Sequence, residues 1–351
     1  MMRRLAILAS LLPAAAAAAV LTTAAPASAA LPDKVAFVQW NGSATVATGT
    51  LPATTTVVTG PVGRYRVLFP GAAAARGVVH VTAINDAPYW CQANTWGPAG
   101  LDEVVYIDCY KAGGTPAFTA FTAIFESSSP PTIAINGRFG YVDAQPTGAL
   151  VSQFNSAGAV NSVTPLAVGQ WLVKMPNLST PGPVDGSLQA TAVNVAPARC
   201  KVAKWSSSPA GQQILVSCFG PTGAPLNTRF TLTYQYQQSL YGAGWPPKYF
   251  GYLWNAPPLG PASTNFNSVL GPAVNTLTPA GTGLSLVRFP QLAVTPATVQ
   301  VTATGPAPDF CNLLTSWFYI GTDIVVRDVA CYTNAGTRID SGFLISANSA
   351  F

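Results

Sequence analysis

The sequence predicts an all-β protein: three tandem disulfide-containing β-sandwich repeats, Ig-like or jelly-roll-like, behind a signal peptide. Three observations predict it. The six cysteines fall into three pairs, Cys91/Cys109, Cys200/Cys218 and Cys311/Cys331, separated by 18, 18 and 20 residues. The text around each pair repeats. Between the pairs, apolar and polar residues alternate at period two, broken by Gly, Pro and Asn, with no helical periodicity beyond the leader.

Residues 1–29 read as a secretory signal peptide. Arg3 and Arg4 give the basic start, Leu5 to Val20 the apolar run, and Ala27, Ser28 and Ala29 the small-residue cleavage site. Pro13 and the Thr/Pro/Ser tail keep the apolar span below the roughly 20 residues that a bilayer needs. Removing the leader takes away two arginines and no acid, so the formal charge falls from +5 to +3. That balance offers no electrostatic case for nucleic acid or anionic membranes. The mature chain has no run apolar enough for a membrane span.

The repeat is read most directly before the first cysteine of each pair. V-T-A-I-N-D-A-P-Y-W-C (81–91), A-T-A-V-N-V-A-P-A-R-C (190–200) and V-T-A-T-G-P-A-P-D-F-C (301–311) align without gaps. After the second cysteine, an aromatic follows at once (Tyr110, Phe219, Tyr332). A glycine comes next (Gly114, Gly223, Gly336), then a phenylalanine (Phe121, Phe230, Phe343). Upstream, each copy has an alternating segment closed by proline: Tyr65, Val67, Phe69, Pro70; Trp171, Val173, Met175, Pro176; Ser285, Val287, Phe289, Pro290. Each copy opens on an aromatic run, at 35–40, 139–144 and 250–255. The units are therefore placed at 30–129, 130–240 and 241–351, joined through the Ser/Pro cluster at 127–131 and the Gly/Pro stretch at 242–247.

About seven strands in some 100 residues, with turn signals roughly every ten, is the arithmetic of a β-sandwich. Two four-stranded blades per unit would instead build a six-bladed propeller of about 50 residues a blade. The separate staple in each unit favours sandwiches. An outer-membrane barrel ending at Phe351 is disfavoured by 31 prolines and three staples. Zinc would want C-x-x-C clusters or histidine partners, so the cysteines are read as three local disulfides formed in an oxidising space. Each closes a loop worth about 3 kcal/mol in the chain-entropy picture.

The run F-N-S-A-G-A-V-N-S-V-T-P-L-A-V-G-Q-W-L-V-K-M (154–175), with V-S-C-F-G-P-T-G-A-P-L-N-T-R-F-T-L after it, resembles the tip domains of trimeric phage tail fibres and collagen-like bacterial surface proteins. The opener F-G-Y-L-W-N-A-P-P (250–258) is similar to that of uncharacterised secreted tandem-repeat proteins of actinobacteria. The second resemblance covers nearly the whole mature chain and implies a β-sandwich unit without implying an activity. Because such tip domains trimerise, the first resemblance implies that three copies in one chain pack as a pseudo-threefold unit. The aspartate of the tail-fibre pattern falls at Thr119 or nearby, Asn227 and Asp340, which argues against a shared acidic site.

Only 8% of the 351 residues are charged, against about 25% in a typical chain. The sole histidine, His80, aligns with Gln189 and Gln300 and reads as a half-exposed strand residue. No nucleophile elbow, zinc-binding H-E-x-x-H or phosphate loop is present. Asp102 and Glu103 stand side by side at a strand head, so they point to opposite faces. No acid recurs in all three copies, and no Ca²⁺ loop occurs. Arg199, Lys201 and Lys204 read as a solvated basic face. Trp96, Trp205 and Trp317 read as packing on the staple or core. The candidates for stacking on a ligand are Trp40, Trp254, Tyr252 and Trp245, since flat aromatic faces near strand openings suit sugars.

No catalytic residue, metal or cofactor is therefore expected. The leading reading is a secreted, extracellular, non-enzymatic protein of structure, adhesion or binding, whose partner would be a cell-wall glycan or another surface protein. A carbohydrate or cell-wall binding module array is the first alternative and an extracellular hydrolase the second.

Overall fold

The structure is a computed structural model that describes residues 33–49, 55–128, 137–242, 249–256 and 261–349. The signal-peptide segment, Trp245 and Phe351 lie outside the described residues. Among the described residues every element is a strand, and the first two units have eight each. In the first these are β1 (Lys34–Trp40), β2 (Thr45–Gly49), β3 (Thr56–Thr59), β4 (Arg64–Phe69), β5 (Val78–Ile84), β6 (Tyr89–Ala99), β7 (Asp102–Lys111) and β8 (Ala120–Ser127). The second unit repeats them as β9 (Arg138–Ala144), β10 (Leu150–Asn155), β11 (Ser162–Ala167), β12 (Gln170–Pro176), β13 (Ser187–Val193), β14 (Arg199–Ser208), β15 (Gly211–Phe219) and β16 (Arg229–Tyr236). The third has β17 (Phe250–Asn255), β18 (Pro261–Asn267), a short extra β19 (Gly271–Pro272), β20 (Thr276–Gly281), β21 (Leu284–Phe289) and β22 (Ala297–Thr304). It continues with β23 (Phe310–Leu313), β24 (Phe318–Ile320), β25 (Asp323–Tyr332) and β26 (Gly342–Ser349).

Each unit is a sandwich of two half-sheets, and each half-sheet continues into a different neighbour. In the first unit, β2-β1-β8-β5 faces β6-β7-β4-β3 across an apolar core that includes Val38, Val67, Phe69, Val79, Ile107 and Phe125. The edge strand β5 then pairs in parallel with β23 of the third unit, through Ile84 and Leu313. β6 pairs likewise with β13 of the second unit, through Ala93 and Val193, and β14 with β22 of the third, through Val202 and Thr304. The three joins form a closed cycle. They produce three composite mixed sheets about a pseudo-threefold axis and leave none of these six inner strands with a free edge. The units are thus neither independent beads nor blades of a propeller.

This closure gives the two halves of a sandwich different environments. The outer half-sheets alternate, as in β4, where Tyr65, Val67 and Phe69 are buried while Arg64 and Arg66 are exposed. The inner strands β5, β13 and β22 are buried along their whole length. In β5, Val79, Val81 and Ala83 face their own sandwich, while Val78 packs with Phe139, Tyr141 and Phe154 of the second unit and Ile84 with the core of the third. The polar residues of these strands meet the other two units at the axis. Thr82 Oγ1 donates to Gln300 Oε1 at 2.9 Å and accepts the Val301 N–H at 3.0 Å. Thr302 Oγ1 donates to Gln189 Oε1 at 2.9 Å and accepts the Ala190 N–H at 2.9 Å. Thr191 Oγ1 completes the cycle, 3.2 Å from His80 Nδ1 and accepting the Val81 N–H at 3.4 Å. Satisfied in this way, buried polar groups avoid the desolvation cost that unpaired ones carry.

The remaining repeat motifs are inter-unit fittings. The residue after each first cysteine reaches the carbonyl of the next unit's Ala-Pro. Gln92 Nε2 donates to Ala196 at 2.8 Å, Lys201 Nζ to Ala307 at 2.9 Å and Asn312 Nδ2 to Ala87 at 2.9 Å. The recurring glycines Gly114, Gly223 and Gly336 have φ of +84°, +83° and +89°. A Cβ at Gly114 would stand 2.5 Å from Pro221, and one at Gly336 2.9 Å from Pro88, so glycine is required both by backbone and by the neighbouring unit. Cys91–Cys109, Cys200–Cys218 and Cys311–Cys331 are disulfides between directly opposed residues, each bridging the hairpin that forms the outer half-sheet.

Candidate functional site

The three sandwiches differ most at their mouths, at the strand position held by Tyr65, Trp171 and Ser285. In the first unit the Tyr65 ring lies edge-on to Phe121 at 4.9 Å and Phe118 at 5.8 Å. Its hydroxyl donates to the Thr119 carbonyl at 2.8 Å and accepts the Thr119 N–H at 2.7 Å. In the second, Trp171 is fully buried, packs on Phe230 at 5.2 Å and donates Nε1–H to the Pro146 carbonyl at 2.9 Å. Both mouths hold a large ring whose polar atom is satisfied, and beside Tyr65 only a smaller hollow of about 230 Å³ remains, at Gly63, Arg64 and Cys109.

Ser285 supplies no such ring, and the third mouth is a cleft of about 590 Å³. Phe343, the counterpart of Phe121 and Phe230, lines it together with Leu277, Leu284, Ile339 and Cys331 of the third staple. Asn255, Ser285, Asp340 and Ser341 add a few polar groups. Asp340 is fixed there by local backbone chemistry: its carboxylate accepts the Gly283 N–H at 2.7 Å, as Asn227 accepts the Gly169 N–H at 2.7 Å in the second unit. The first unit has Phe118 at this place, so the position is a turn brace that only the third unit makes acidic. The cleft's size, apolar walls and sparse polar groups are those of a small-molecule site. The signal for it stood in the sequence as a serine in a column of aromatics, and its consequence needed the geometry of the mouth.

The residues singled out for ligand stacking do not gather into one site. Trp40 is 7% exposed and packs in the first core, and Tyr252 is 1% exposed and stacks on Phe266 at 5.7 Å. Neither has a free face, because β1 is buried from Val35 to Trp40 and β17 from Phe250 to Leu253. Trp254 is half-buried, at 4.6 Å from Trp205, and donates Nε1–H to Thr304 Oγ1 at 3.2 Å beside a hollow of about 320 Å³. Trp205 and Trp317 are buried in their cores, and Trp96 packs against the first core under the Arg229 guanidinium, 4.6 Å away.

Two further expectations are corrected. His80 is not half-exposed: at 2% exposure it lies on the axis, with Nε2 2.7 Å from Thr233 Oγ1. Burial lowers its pKa to about 3, so the ring is neutral. Of the basic group Lys204 alone is exposed, and Arg199 and Lys201 are not solvated either, at 7% and 3% exposure. The closed cycle of units puts both at the axis.

The acids are mostly committed to structure. Asp108 takes Arg64 at 2.9 Å and Asp143 takes Arg229 at 2.6 Å, while Asp323 pairs with Arg288 and Asp309 with Lys201. Asp102 and Glu103 do not point apart but brace one loop together, accepting the N–H groups of Gly71 and Ala74 at 2.9 and 3.1 Å. Burial raises the Glu103 pKa to about 7. Among the described residues no three His, Cys, Asp or Glu side chains gather in a metal-binding group. Comparison with protein-family profiles, with curated proteins and with solved structures finds no match.

Proposed function

We propose that the protein is an exported, non-enzymatic binding protein that takes one small, mainly apolar molecule into the mouth of its third sandwich. The observation that carries this reading is the cleft of about 590 Å³ at Ser285, where the other copies plug the same place with Tyr65 and Trp171. Small-molecule sites span roughly 300 to 1,000 Å³ and are lined mainly by apolar groups with a few placed polar ones. Export is supported by the leader and by three disulfides. A binding rather than catalytic role is supported by the carboxylates, most of which hold arginines, a lysine or backbone N–H groups.

The test is a fluorescence titration of the purified disulfide-intact protein with N-phenyl-1-naphthylamine. One saturable site is expected in the wild type, and none in Ser285→Trp, which restores the plug of the second unit. An unsaturable or absent signal in the wild type, or equal binding by a folded Ser285→Trp, overturns the reading.

A further inference from the structure

A second site lies on the pseudo-threefold axis, just outside the ring of Thr82, Thr191 and Thr302. The residue before the first cysteine of each unit is Trp90, Arg199 or Phe310, and the cycle of units brings these three together. The Arg199 guanidinium carbon stands 4.5 Å from the centroid of the Trp90 ring and 4.5 Å from that of Phe310, held between two aromatic faces. Its Nη2 donates to Asn334 Oδ1 and, at 3.4 Å, to the Pro308 carbonyl. Among the described residues Nε and Nη1 have no hydrogen-bond partner, although Arg199 is only 7% exposed.

The charge around it does not balance. Lys201 is buried beside Arg199 and pairs with Asp309, which also accepts the Ser341 hydroxyl. Among the described residues Asp309 is the one carboxylate against the two cations of this cluster, which leaves a unit positive charge on largely buried side chains. A buried cation with unpaired donors is costly unless something of opposite charge meets it. Between the threonine ring and the aromatic layer is a cavity of about 60 Å³, lined by residues of all three units, Arg199, Lys201 and Asp309 among them. A cavity must offer about 10 to 15 Å³ to hold one water. This one has room for a small ion with a water or two.

We infer that the axial cavity binds one monovalent inorganic anion of halide size, held by the Arg199 Nε and Nη1 donors. The anion neutralises the surplus charge and pairs the open donors at once. Burial lowers the Arg199 pKa to about 10 and pulls that of Lys201 down as well, the direction expected where cations are under-compensated. The site differs from the apolar cleft in place and in chemistry, so either can fail without the other.

Two measurements on the full disulfide-intact protein test it. Melting is followed at fixed ionic strength in sodium gluconate and in sodium bromide, and crystals grown with bromide as the sole halide are examined for anomalous scattering. A saturable rise of about 3 °C in bromide and an anomalous peak beside Arg199 are expected. Arg199→Phe, which gives the second unit the aromatic of the third, should lose the bromide-specific rise while keeping the fold. Equal melting of the wild type in the two salts, the absence of an axial bromide peak, or a full bromide response in Arg199→Phe overturns the proposal. If Arg199→Phe does not fold, the wild-type peak and melting shift decide it.

Discussion

In the ring of threonines on the axis the three units present residues of one kind, with Thr82, Thr191 and Thr302 each bonded to the next unit through Gln300, His80 or Gln189. At the mouths they present Tyr65, Trp171 and Ser285. The difference follows from what each place must satisfy. An axial residue has partners in other units, so a change in one copy leaves a buried polar group unpaired elsewhere. A mouth residue packs only within its own sandwich and can shrink to a serine at the cost of local contacts alone. Chemical variation within a single sandwich therefore collects at the mouths, and repetition in the threonine ring.

The contrast can be broken most strongly at the second mouth. Trp171→Ser should cost about 3 to 5 kcal/mol in denaturant unfolding and add a second equivalent of bound N-phenyl-1-naphthylamine. If stability is unchanged, the buried ring is not what closes that mouth. At the axis, Thr302→Val removes an acceptor from the Ala190 N–H and a donor from Gln189. A loss of about 2 kcal/mol is expected; a neutral result would show that the ring is not under mutual constraint. Closing the third mouth with Ser285→Trp should raise stability by about 1 kcal/mol, alongside the lost probe site.

The smallest effect at neutral pH belongs to His80→Gln, which makes the ring chemically uniform. The folded-state pKa of His80 is held near 3 by burial, below its usual 6.5. Its contribution is thus fully present above pH 6.5 and is lost as pH falls toward 3, because the unfolded chain takes up the proton first. Glu103, raised to about 7, acts in the opposite sense and favours the folded state as pH falls from 7 toward 4.5. The difference between wild-type and His80→Gln melting curves isolates the histidine. It should grow in favour of the variant from pH 7 to pH 4, and a flat difference would mean that the ring nitrogens are not buried as described.

Much of the architecture was legible in the residues. Period-two alternation specified strands, and the spacing of the six cysteines specified three local staples, both properties of short stretches of chain. The cleft was half legible, since Ser285 broke a column of aromatics while nothing in the text said that this column seals a mouth. His80, Arg199, Lys201, Trp40 and Tyr252 were not legible. Alternation reports that one strand face is polar, and water is the ordinary partner of a polar face.

The sequence by itself determined the unit: its strands, its staples, its Thr-Ala and Ala-Pro motifs and its three copies. The tertiary structure alone decided what the polar faces of β5, β13 and β22 meet. They meet one another, because each half-sheet extends into a different neighbour and the cycle of parallel joins closes after three units. Hydrogen bonds between residues more than a hundred positions apart then replace solvent at the axis. No local periodicity can encode that replacement.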